Sequence, residues 1–327
     1  STSTIYKISI DGSVKKWMDD GMYRTISFSP NGEYVMISQI NKPFSYLVTY
    51  SRFPTETNIY NKDGDFVSNL QKVPLIEELP KGFMSVRTGK RSFSWRPDKG
   101  ASLTYVTALD SGDPSKKVDF RDEVYELNYP FSGKGKFILK TINRFSGIDW
   151  GTKDMAIAYD TWWNTRNRKS YVFNPSNPNI KPKIISDRNY QDAYSDPGNF
   201  LKSRNEFNRS VLKMHYGNIF LRGQGFSPSG QFPFIDKVNT KTFEKTRVYQ
   251  SSYTDKIESI IDYDPKKNQL TVSIESPSEY PNYYTKKVKS GKLEKLTNLK
   301  NPFLELQNVK KEKITYLRND GVELSGI

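Results

Sequence analysis

No cysteine occurs in the 327 residues, and His215 is the single histidine. A disulfide framework, a thiolate metal site and a cysteine nucleophile are therefore excluded, and so is a histidine-rich metal centre. Long apolar runs are missing too; the longest reach four or five residues, as in Met155-Ala156-Ile157-Ala158-Tyr159. A spanning helix needs about 20 such residues, so no membrane span is expected. The first residues, Ser1-Thr2-Ser3-Thr4-Ile5, carry neither Met nor a signal-peptide core, which reads as a processed or cut chain. Gly223-x-Gly225 and Gly133-Lys134-Gly135 lack a surrounding strand–turn–helix unit, so both read as turns rather than phosphate loops, and no cofactor is expected.

What is present is material for a core. Hydrophobic residues make up 35% and charged residues 26%, too much apolar content for a disordered chain. Lys plus Arg number 50 against 36 Asp plus Glu, a formal charge of +14. A basic excess of this size fits nucleic acid, an anionic surface or an acidic substrate. The basic residues are spread along the chain, however, with only mild concentrations at Arg166-Asn167-Arg168-Lys169 and through Lys286 to Lys295. Without a stripe or block of one sign, nucleic acid is an unfavoured partner.

Runs rich in Tyr, Phe, Val, Ile and Thr alternate with Gly, Pro, Asn and Asp. Examples are Tyr34-Val35-Met36-Ile37 and Leu270-Thr271-Val272-Ser273-Ile274, with turn signals at Asp11-Gly12, Asn31-Gly32, Asp63-Gly64 and Asp320-Gly321. These are strand-length segments bounded by hairpin turns. Helical periodicity is confined to a candidate short helix near Val118 to Leu127. The fold class predicted is all-β. Ser27-Phe28-Ser29-Pro30-Asn31-Gly32 is echoed by Ser92-Phe93-Ser94-Trp95-Arg96-Pro97-Asp98-Lys99-Gly100. A repeated set of strands that cannot bury its faces alone implies a β-propeller of four-stranded blades. About five complete blades are predicted, near 24–73, 88–142, 144–190, 199–250 and 256–299. Residues 5–17 read as only the outer hairpin of another blade, and 314–327 as a new hairpin that stops mid-strand.

The closing stretch ITYLRNDGVELSGI resembles the segment leading from the propeller of prolyl-oligopeptidase-like serine peptidases into their α/β-hydrolase domain. The interior is similar to the glutamyl endopeptidase branch of that clan. The likeness runs through NKPFSYLVTYSRFP (41–54), SVRTGKRSFSWRPDK (85–99), DFRDEVYEL (119–127), FSGIDW (145–150), DTWWNTRNRKSYVF (160–173), DRNYQDAYSDPGN (187–199) and PFIDKVNTKTFEK (233–245). The resemblance implies a propeller over 1–310 and, over 311–327, the start of the link to a hydrolase domain absent from this sequence. It also implies peptide or protein substrates, cleavage after glutamate, a propeller that gates access, and an exported or periplasmic location in a bacterium. A stand-alone propeller binding proteins, glycans or nucleic acid is the alternative.

No catalytic residue is assigned, since a G-x-S-x-G elbow is absent. Its nearest imitation is Gly225-Phe226-Ser227-Pro228-Ser229, where Pro228 lacks the backbone N–H that an oxyanion would need. His215, in a strand-then-turn pattern, has no nucleophile beside it in sequence. Four arginines are substrate-binding candidates: Arg166 and Arg168, expected on one face if their segment is extended, and Arg87 with Arg91. Fixed guanidinium forks grip carboxylates well. Hydrogen bonds between blades are the competing role for each.

Overall fold

The computed structural model describes residues 2–306, 309 and 312–327. The expected domain boundary at 310/311 lies outside the described residues. Two compact units are distinguished. The first comprises Ser1–Asp196, Phe200–Ile219 and Thr240–Phe243, and the second Pro197–Asn199, Phe220–Asn239 and Glu244–Ile327.

The first unit carries three antiparallel meanders in chain order. One is β1 (Ser3–Ile8), β2 (Val14–Phe28), β3 (Tyr34–Ile40), β4 (Thr55–Asn61) and β5 (Phe66–Val73). The next is β6 (Arg91–Trp95), β7 (Ser102–Ala108), β8 (Asp122–Asn128) and β9 (Lys136–Thr141), followed by β10 (Arg144–Thr152), β11 (Met155–Trp162), β12 (Asn167–Phe173) and β13 (Lys183–Asn189). Each strand pairs with its sequence neighbour, the up-and-down order of propeller blades. The fold class is therefore all-β, of β-propeller type. The early hairpin is present, with Ile8 opposite Val14. Its second strand runs on into the first sheet, pairing with β3 from Met22 onward.

The segment Val118 to Leu127 is not helical. Its second half is β8, with Asp122 opposite Ala108 and Leu127 opposite Leu103. Two acids of this strand, Asp122 and Glu126, are both buried. Arginines neutralise them, so the strand is buried on both faces.

Two apolar clusters hold these sheets together. Met36, Ile59 and Leu70 pack with Trp95, Leu103, Tyr105, Tyr125, Leu127 and Phe131. Val106, Val124, Ile138 and Leu139 pack with Trp150, Ala156, Ala158, Tyr171 and Phe173. Each large side chain buried this way contributes about 1.5–3 kcal/mol. The echoed turns meet directly, Asn31 N donating to Gly100 O at 3.0 Å and Trp95 Nε1 to Ser27 O at 3.0 Å. Beneath them Arg96, 1% exposed, bridges Asp98 and Glu126 at 2.7 and 3.0 Å. Its guanidinium lies 3.8 Å over the Trp150 ring.

In the second unit, Phe234–Asn239 pairs with Lys245–Gln250, and Ile257–Asp264, Gln269–Glu275, Asn282–Lys287 and Leu293–Lys295 form a further four-stranded meander. Its polar centre is a triad of buried Glu258 and Lys286 with half-buried Tyr249. Tyr249 donates to Glu258 at 2.5 Å, and Lys286 reaches Tyr249 at 2.6 Å and Glu258 at 2.8 Å. A hairpin pairs Ile314–Leu317 with Glu323–Gly326.

Candidate functional site

Arg91 opens β6 and Arg144 opens β10, so both stand where their sheets begin. The connection from β7 to β8 returns to the same end and brings Asp110, Arg121 and Asp122 with it. Asp110 Oδ2 receives Arg121 Nη1 at 2.8 Å and Arg144 Nη2 at 2.7 Å. Asp122 accepts hydrogen bonds from Arg144 Nη1 at 3.1 Å and the backbone N–H of Phe145 at 2.8 Å, and forms an ion pair with Arg91 Nη2 at 2.5 Å. Arg144 Nε also donates to Met84 O at 2.9 Å. Three guanidinium groups thus share two carboxylates, and Asp110 and Asp122 are essentially shut off from water.

The loops above are held by backbone contact. Val86 N donates to Gly112 O at 3.1 Å. Gly112 has φ +78°, and a Cβ there would stand 1.8 Å from Val86 O. Glycine is required at that crossing on both counts.

Arg87 stands beside this network with a different set of partners. Its Nη1 donates to Thr88 O at 3.0 Å, and its Nη2 to Gln71 Oε1 at 2.7 Å and to Lys90 O. Among the described residues it meets no carboxylate. Burial, reinforced by the charges of Arg91 and Arg24, pushes its pKa down. An anion would relieve that excess of positive charge. Arg87 lines a pocket of about 450 Å³ with Gln71, Lys90, Leu70, Val73 and Val86.

The other pair does not share one face of an extended strand. Trp162 pairs with Asn167, and Trp163–Arg166 form the turn between β11 and β12, closed by Arg166 N donating to Trp163 O at 3.2 Å. Arg166 has φ +54°. Its guanidinium folds back 3.9 Å over the Trp163 ring and donates to Trp163 O at 2.7 Å. Four residues between paired strands must reverse the chain, which an extended reading overlooks. Arg168 lies on β12 beside Arg188, 4.8 Å over the Tyr159 ring, and its buried Nε has no hydrogen-bond partner. Trp163 packs against Phe83 at 5.6 Å and Trp162 lies 4.0 Å under Arg121, so this turn adjoins the ion network.

Of the four candidates, Arg91 is committed to Asp122, while Arg87, Arg166 and Arg168 have no ion-pair partner among the described residues. Asp110, Asp122, Arg121 and Arg144 were missed from sequence, though Arg121 and Asp122 fall in DFRDEVYEL and Arg144 immediately precedes FSGIDW. Ser227 and His215 lie in tight hairpins. Ser227 Oγ meets Ser229 Oγ and Gly230 O, each at 3.0 Å, and the His215 ring stacks 4.2 Å from Tyr216. Neither makes a nucleophile–base contact. Among the described residues no three His, Asp or Glu side chains come together to hold a metal ion.

No family model matches the chain. It is 35% identical to the probable chloroplastic glutamyl endopeptidase of Oryza sativa subsp. japonica and 31% identical to that of Arabidopsis thaliana. Each match covers 99% of this chain and 36% of the relative, so the chain spans about a third of the relatives' length. Among solved structures it is similar to Pyrococcus horikoshii acylaminoacyl peptidase, with 12% identity, a TM-score of 0.45, and 98% of this chain against 46% of that one. Against the β-propeller domain of the Trilobed protease from Pyrococcus furiosus the values are 11%, 0.42, 93% and 76%.

Proposed function

The chain is a glutamyl-endopeptidase-like propeller region, and from that premise we propose that it serves as the non-catalytic propeller segment of a serine endopeptidase, gating access to an α/β-hydrolase domain and helping to bind acidic substrates. The observation that carries this reading is sequence likeness to two proteins named glutamyl endopeptidase, sustained over 99% of the chain. The arrangement of the arginines supports its second half. A glutamate side chain is costly to desolvate unless a cation with good geometry receives it. Arg87 suits that role because it is held in place by neutral oxygens, repelled by neighbouring cations and set in the wall of a pocket. Arg166 and Arg168 are the second candidates, and Arg91 holds Asp122 instead. An exported compartment is the proposed location, which the absence of cysteine suits. No observation favours a stand-alone binding module.

The test is Arg87→Gln in the full-length enzyme, assayed on matched reporter peptides with glutamate or glutamine at the cleavage position. Removing one partner of a charge pair costs about 2–5 kcal/mol, so kcat/KM on the glutamate peptide should fall by about 30-fold or more. The glutamine peptide should be nearly unaffected. Equal losses on both peptides would mean that Arg87 only holds the propeller together. For gating, the expected outcome is cleavage of short peptides with folded proteins spared.

A further inference from the structure

A second cavity in the first unit, of about 350 Å³, has no part in the reading above. Its floor is apolar: Met155, Val172 and Phe173 are buried there, and Met214 joins them. Two methionines give it a deformable, polarisable lining. Lys181 and Lys183 stand on its edge, with Asp154 as the acidic lining residue.

Phe243 lines this cavity from an unfavourable backbone position. Asn239 N donates to Glu244 O at 3.0 Å, closing the loop Thr240–Phe243, and Phe243 has φ +63°. That left-handed slot in a hairpin loop is ordinarily taken by glycine, because a bulky side chain disfavours it. Core burial does not account for the choice, since Phe243 is only half-buried. Its ring instead faces the Lys183 ammonium, 4.7 Å from the ring centre, at the cavity edge. A strained bulky residue in the lining of a cavity points to a use for the ring itself.

We propose that this cavity is a binding site for a small aromatic or branched aliphatic carboxylate, with Phe243 covering its apolar body and Lys183 receiving its charge. The apolar floor suits the body of such a ligand, and the cationic edge selects an acid over a neutral group of the same shape. The proposal is independent of the peptidase reading.

The probe is 3-phenylpropionate, with 3-phenylpropanol as the uncharged control, titrated into the 327-residue chain by calorimetry and by ligand-observed NMR. The acid should bind saturably and about tenfold tighter than the alcohol, a difference of about 1.4 kcal/mol. Phe243→Gly should weaken binding at least about tenfold while leaving Tm unchanged or higher, because glycine relaxes the left-handed turn. Lys183→Gln should bring acid and alcohol to similar affinity. Absence of saturable binding, or equal binding of acid and alcohol by the unaltered chain, would overturn the proposal. So would a Phe243→Gly chain that melts several degrees lower, since the ring would then be a structural plug.

Discussion

Replacing Asp110 by asparagine keeps the side-chain shape and removes the charge that two guanidinium groups share. Oδ2 of Asp110 accepts from Arg121 at 2.8 Å and from Arg144 at 2.7 Å, while Oδ1 accepts from Gly112 N at 2.9 Å. An amide must turn its NH2 toward one of these sides. Set at Oδ2 it confronts two cations; set at Oδ1 it confronts a backbone N–H. Hydrogen bonds to charged groups contribute about 1.5–3 kcal/mol each, so two of them set a ceiling of about 3–6. Stranding a buried charge by removing its partner costs about 3–5 kcal/mol. Asp110→Asn is therefore expected to destabilise by about 3–5 kcal/mol. At about 2–4 °C per kcal/mol for a domain of this size, Tm should fall by about 6–20 °C. Urea and thermal unfolding followed by tryptophan fluorescence would measure it, with Trp162 under Arg121 as a local reporter. Asp63→Asn is the control, because Asp63 is exposed and its ion-pair partner, Lys7, is 4.0 Å away; a change within about 0.5 kcal/mol is expected. A cost below about 1 kcal/mol for Asp110→Asn would refute the view that this network bears on stability.

Two further outcomes follow from geometry and titration. Gly112→Ala should destabilise by about 3 kcal/mol or more, since its Cβ would collide with Val86 O at 1.8 Å; a melting curve matching that of the unaltered chain would contradict the backbone crossing. Tyr249 is pushed up to about 12 by burial and then by its bond to Glu258, against about 10 in an unfolded chain. The folded state thus keeps a proton that the unfolded state has lost, and stability should drop as pH rises from 10 to 12, by up to about 1.4 kcal/mol per pH unit. Lys286 adds slope of the same sign; burial, its largest influence, lowers its pKa, but Glu258 and Tyr249 outweigh it and the net shift is upward. Tyr249→Phe should flatten this alkaline limb, and identical slopes for both chains would count against the triad.

The sheets were legible because each strand is bounded by residues with few other roles. Asn31-Gly32 and Asp63-Gly64 fall between paired strands, and both glycines have positive φ. The site was less legible for a reason that is itself physical. Sequence patterns assume that charge faces water, yet Asp122, Glu126, Arg96 and Arg144 are buried because they neutralise one another. A strand carrying such acids imitates the polar stripe of a helix, which is how Val118 to Leu127 misleads. The arginine pair 166/168 misleads differently. No Gly or Pro marks the turn at Trp163–Arg166, where Arg166 itself takes the left-handed position.

Each sheet of the first unit is cut from one unbroken stretch of chain, which bears on how the protein is made. A ribosome releases about 5–20 residues per second, so a sheet of about 50 residues emerges over about 3–10 s. A hairpin closes in about 1–10 μs, so β6–β9 can be complete before β10 has left the exit tunnel. Arg144 is the first residue of β10. Until it arrives, Asp110 and Asp122 have only Arg121 and Arg91 as ion-pair partners among the described residues. The second sheet meanwhile turns Val106, Val124, Ile138 and Leu139, the face later covered by Trp150 and Phe173, toward water. A nascent chain that has emerged from the tunnel only as far as the residue before Arg144 would display that greasy face beside a half-satisfied acid pair, a surface on which a chaperone could act.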